Sequence, residues 1–70
     1  MVSPEELTTR FTYHAPKPGQ SDLYVEIRDT AKGLAELVVA RTPESREQSL
    51  ALTAIEEAVM WANAAIARRS

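Results

Sequence analysis

The sequence has no cysteine, one histidine and two glycines in 70 residues. Without cysteine there is no disulfide framework and no thiolate metal site. With only His14 available, a metal would have to rest on carboxylates, and no calcium-loop spacing is present. Ten acids against eight bases give a net charge of −2, so the chain lacks the basic stripe of a duplex-DNA binder. A small anionic ligand needs only two or three well-placed cations and is not excluded. No apolar run approaches the length of a membrane span. The segment Met1-Val2-Ser3-Pro4-Glu5-Glu6 is acidic and has no signal-peptide apolar region, so a soluble cytosolic protein is expected. There is no Gly-x-Ser-x-Gly elbow and no phosphate-binding glycine loop, and no acid near His14 orients it. The expected protein is therefore not an enzyme and carries no cofactor or metal.

What is present is a helical pattern around one non-helical arm. A single domain over residues 1–70 is the largest unit this length allows. Ser3-Pro4-Glu5-Glu6 predicts a short helix within residues 1–9, with Ser3 as cap, Pro4 at the first position and Glu6 completing a capping box. Arg10 to Gly19 holds Phe11, Tyr13, His14, Pro16 and Pro18, and prolines at that density cannot lie inside a helix. The arm is placed at 10–21, with Ser21 or Asp22 capping a helix over 22–41. Tyr24, Ile27, Ala31, Leu34 and Val38 form its apolar stripe. Thr42-Pro43 predicts a second long helix over 43–69, with Leu52, Ile55, Val59, Ala62 and Ile66 as the matching stripe. The short connection makes the pair an antiparallel hairpin. The fold class is all-α: short helix, extended aromatic arm, long hairpin.

The second long helix has a further stripe: Ala51, Ala54, Ala58, Trp61 and Ala65, with Ala64 and Ala67 alongside. A two-helix hairpin has one mutual interface, so this surplus predicts self-association, unless the arm or short helix covers it. A domain of this size buries only about 60% of its unfolded surface, which points the same way. Phe11 is expected to pin the arm to the hairpin. Tyr13 could do the same or stack on a ligand, since a nucleobase on an aromatic face gains about 1–3 kcal/mol. Arg28 can fork a phosphate, while Lys17 and Lys32 can serve as point charges and Thr30 adds a hydroxyl.

Phe11-Thr12-Tyr13-His14-Ala15-Pro16, then Tyr24 and Ile27-Arg28-Asp29-Thr30-Ala31-Lys32, resemble a small bacteriophage family. The likeness continues through Pro43-Glu44-Ser45-Arg46-Glu47-Gln48-Ser49-Leu50-Ala51 and Glu57-Ala58-Val59-Met60-Trp61-Ala62-Asn63-Ala64. The family is the anti-CBASS cyclic-oligonucleotide sponge, whose helical hairpin is shared with the phage sponge that inhibits Thoeris immunity. The resemblance implies a homohexamer that binds cyclic di- and trinucleotides, such as cyclic GMP-AMP, without cleaving them. It would act in the cytoplasm of the infected host, with no duplex nucleic acid or membrane as partner. It also implies residue roles. Tyr13 would stack on a base, Arg28 would replace a phosphate-contacting lysine and Thr30 would share that pocket, with Arg28 and Thr30 coming from a different protomer. His14, Ala67 and Arg69 would serve a separate trinucleotide pocket, in which the arginine could equally be Arg68. His14 could instead be structural. A hairpin that binds a host protein, or a sponge for cyclic ADP-ribose isomers, is the alternative.

Overall fold

The computed structural model describes residues 1–70 as three helices and no strand: α1 over Pro4–Arg10, α2 over Gln20–Arg41 and α3 over Arg46–Arg69. Helices α2 and α3 pack side by side as the hairpin. The whole chain measures 45 × 32 × 13 Å. An α-helix with side chains is about 10–12 Å across, so the hairpin is one helix thick. A single layer leaves both of its broad faces uncovered. Accordingly no apolar residue is buried, and Leu34, Leu37, Leu50, Met60 and Trp61 are all exposed.

The inward stripe of α3 is as expected: Leu52, Ile55, Val59, Ala62 and Ile66 are all partly covered. On α2 the partly covered positions are Tyr24, Ile27, Ala31, Ala35 and Val38, whereas Leu34 is 50% exposed. Ala35 lies about 100° round the helix from Leu34 and takes its place facing α3. Small residues at 31 and 35 let the helices approach closely. Of the alanine-rich second stripe, Ala54, Ala58, Trp61 and Ala65 are open to solvent, Trp61 being 64% exposed, whereas Ala51, Ala64 and Ala67 are partly covered.

The helix ends differ from the expected ones, each for a local reason. Ser3 caps α1 by accepting the Glu6 N–H at 3.1 Å, but the capping box is not reciprocal. The Glu6 carboxylate turns instead to Arg10 and Arg69. Helix α1 includes Arg10, so the arm is 11–19. At its far end Gly19 adopts a left-handed φ of 85°, and α2 begins directly after it, before Ser21 and Asp22. Thr42 is not the cap of α3. It ends α2, its hydroxyl donating to the Val38 carbonyl at 2.6 Å, in the extended conformation that a following proline requires. Ser45 caps α3 by accepting the Gln48 N–H at 3.1 Å, while the Gln48 amide reaches back to the Thr42 carbonyl and hydroxyl. Pro43 therefore sits in the connection rather than in the helix.

By length and mean hydropathy (1.3 over its best window) α3 is long and apolar enough to cross a membrane, contrary to the expectation from apolar runs. Alanine raises that mean without forming a run of large apolar side chains. Glu56 and Glu57 lie near the middle of the helix. An acid at a bilayer centre costs about 2.5–3.5 kcal/mol, which opposes insertion.

Candidate functional site

The arm, the first half of α2 and the end of α3 enclose an open groove of ≈ 570 Å³. Its walls follow from helical spacing. Tyr24 and Arg28 stand one turn apart on α2, and Asn63 and Ala67, like Ala64 and Arg68, stand one turn apart on α3. Arg10, Thr12, Tyr13 and His14 supply the third side. The volume lies within the usual 300–1,000 Å³ range of small-ligand pockets. Despite the acidic net charge, three arginines and no carboxylate line this groove. Glu6 pairs with the groove residue Arg10 at 2.9 Å, while Glu44, Glu47, Glu56 and Glu57 occupy exposed positions outside the lining. Local charge rather than net charge thus favours an anion here, and the Tyr13 ring, 84% exposed, offers it a free flat face.

The structure divides the expected site residues. Tyr13, His14, Arg28 and Ala67 meet in this one groove, within a single chain, so Tyr13 and Arg28 need no second protomer to come together. Thr30 does not join them. It lies two residues, about 200°, round α2 from Arg28, and lines an apolar groove with Ile27, Leu34 and Ala58. Lys32 shares Arg28's face but one turn on, beside Leu52, Glu56 and Met60. Arg28 borders both grooves.

Arg69 is turned away. Its guanidinium holds Glu6 Oε2 at 2.7 Å and so ties α1 to the end of α3. Arg69, then Arg10 at 2.9 Å, draw the Glu6 carboxyl down to about 2, and Glu6 in turn raises Arg69. The neighbouring Arg68 is the arginine that lines the groove. His14 is engaged too: Nε2 donates to the Thr9 carbonyl at 2.7 Å, so this nitrogen carries the proton and the ring braces the arm.

Phe11 does not pin the arm, being 84% exposed. The residues that do so are His14, Gln20 and Lys17, whose ammonium donates to the Ser70 carbonyl. Gln20 is the single buried residue of the chain, and the sequence reading overlooked it because one glutamine after a glycine has no periodic or motif signal. Tyr24 and Asn63 were also missed. The i,i+4 spacing of Tyr24 to Arg28 and of Asn63 to Ala67 was the available clue.

The groove holds no pair of a nucleophile with a base, and its one imidazole is bonded to a backbone carbonyl. No cluster of three or more metal-ligating side chains exists anywhere in the chain. This arrangement can bind an aromatic anion. A family model for the Acb2/Tad1 hairpin domain matches residues 3–67. The chain belongs to the Acb2/Tad1 hairpin family. Its members are the phage anti-CBASS and anti-Thoeris nucleotide sponges, and membership supports a cyclic-nucleotide sponge type of function. No curated protein and no solved structure matches the chain. The Acb2/Tad1 match spans the arm, α2, α3 as far as Ala67, and every residue of the groove wall except Arg68.

Proposed function

We propose that the protein sequesters cyclic di- and trinucleotide immune signals, cyclic GMP-AMP among them, without degrading them. Acting in the cytoplasm of the infected bacterium, it keeps CBASS effectors from being activated. The observation that carries this reading is the groove itself: Tyr13 and three arginines, with no acid, on a chain of the sponge family. Tyr13 stacks on a base, worth about 1–3 kcal/mol. Arg28 forks a phosphate, and Arg10 and Arg68 add positive potential. Thr30, Lys32 and Arg69 reach a ligand only in an assembly that brings their faces to a neighbouring groove. A homohexamer, the assembly implied by the family resemblance, would both do this and cover Trp61 and the apolar groove around Leu34.

Incubating the protein with cyclic GMP-AMP, digesting the protein and recovering the nucleotide intact tests sequestration. Linear products would overturn it in favour of hydrolysis. The same release assay run with cyclic ADP-ribose isomers separates the anti-CBASS from the anti-Thoeris branch. A second reading rests on the exposed Trp61 stripe, which suits a host protein partner. A monomer in light scattering that takes up no cyclic nucleotide would favour that reading.

A further inference from the structure

Gln20 is 6% exposed, the only buried residue in the chain, and it is polar. A buried amide must be hydrogen-bonded at both ends or it costs stability. Gln20 meets that requirement with two different parts of the chain. Its Oε1 accepts the Lys17 N–H at 2.9 Å, and its Nε2 donates to the Ile66 carbonyl at 3.2 Å. Its own N–H donates to the Lys17 carbonyl at 3.0 Å. Two of these bonds close the arm into a turn, which Gly19 permits through its left-handed φ of 85°.

The third bond fastens that turn to the last turn of α3, alongside the Lys17 ammonium, which donates to the Ser70 carbonyl. Ile66 has one of the terminal carbonyls that an α-helix leaves without a backbone partner, and it accepts the Ser70 hydroxyl at 3.0 Å as well as the Gln20 amide. It adjoins Ala67 in the groove wall. At the arm's other end, the His14 ring is fastened to the Thr9 carbonyl. The segment bearing Tyr13 is thus held on both sides while the Tyr13 ring itself stays in solvent.

We propose that Gln20 is a positioning residue for the nucleotide groove. It touches no ligand; it sets the fraction of molecules in which the arm lies against α3. This rests on the sponge reading above. When only part of a population is competent to bind, the apparent affinity falls by that fraction, whatever the ligand. Loss of the fastening therefore weakens every ligand equally, whereas loss of a ligand contact reorders them.

Two variants test this. Gln20→Glu keeps the acceptor for Lys17 and loses the donor to Ile66; Gln20→Met keeps the volume and loses both. Calorimetry of each with cyclic GMP-AMP, cyclic di-AMP and cyclic di-GMP is compared with wild type. Elution volume and hydrogen exchange across residues 11–20 are measured alongside. The expected result is weaker binding of all three by a common factor, up to about tenfold for Gln20→Glu, the worth of one buried hydrogen bond, and no less for Gln20→Met. Exchange over the arm becomes faster, and the elution volume does not change. Affinities within twofold of wild type in both variants would overturn the proposal. So would a changed ligand order, or failure of the isosteric Gln20→Glu to fold. Should wild type bind none of the three nucleotides, the sponge reading fails separately. Exchange then decides the role of Gln20: a faster arm upholds it and an unchanged arm rejects it.

Discussion

Replacing Tyr13 with alanine separates binding from folding. The ring is 84% exposed, so its removal uncovers almost no packed surface. Exposed substitutions of this kind change stability by no more than about 0.5 kcal/mol. Stacking on a nucleobase is worth about 1–3 kcal/mol, which corresponds to a loss of affinity of about 5- to 150-fold. Binding should therefore fall steeply while the melting temperature and elution volume stay put. Tyr13→Phe keeps the flat face and should bind within a few-fold of wild type. Titration calorimetry with cyclic GMP-AMP measures all three proteins, and thermal unfolding followed by circular dichroism supplies the control. Two results refute the reasoning. Tyr13→Ala could bind like wild type, which removes the stacking role. It could also lose binding together with helicity or assembly, which would make the ring structural, against its exposure.

Arg28→Ala removes a charge-assisted hydrogen bond to phosphate and should weaken binding by about 1.5–3 kcal/mol in calorimetry. Arg28→Lys keeps the charge without the planar fork and should fall between the two. Gly33→Ala should raise the melting temperature, because a Cβ there meets nothing within 4 Å and alanine gains about 1 kcal/mol in a helix. A lower melting temperature would instead reveal a neighbouring chain packed against residue 33. Glu6 titrates at about 2 against an ordinary 4.5, so its clip to Arg69 operates above about pH 4.5 and is lost as the pH falls towards 2. Carboxyl NMR should place the Glu6 midpoint well below that of an ordinary glutamate, and Arg69→Ala should return it upwards.

The helices were legible because period is a local property, and so were their inward stripes apart from Leu34, whose place Ala35 takes. Proline and glycine likewise marked where the arm had to be. The start of α3 was placed too early. Thr42-Pro43 fits a helix start, but the Thr42 hydroxyl bonds back to Val38 and Ser45 is the cap. The site was legible in its residue types and less so in its arrangement. Arg28, Thr30 and Lys32 look like a cluster along the sequence, yet a helix sends Thr30 to the other side. Arg68 and Arg69 look interchangeable until the position of α1 assigns Arg69 to Glu6. Gln20 was invisible because its partner at 66 reaches it only after the hairpin closes.

A layer one helix thick, whose sole buried residue is a glutamine, has little apolar burial with which to offset the entropy of folding. In the proposed assembly, surfaces shared between copies would supply the rest, and mass action would make that stability rise with concentration. The dose of such a protein sets two quantities at once, the number of sites and the fraction of chains able to form them. Dilution would cost capacity more steeply than in proportion. An assay run at very low protein concentration would then report the strength of assembly, whatever nucleotide was being titrated.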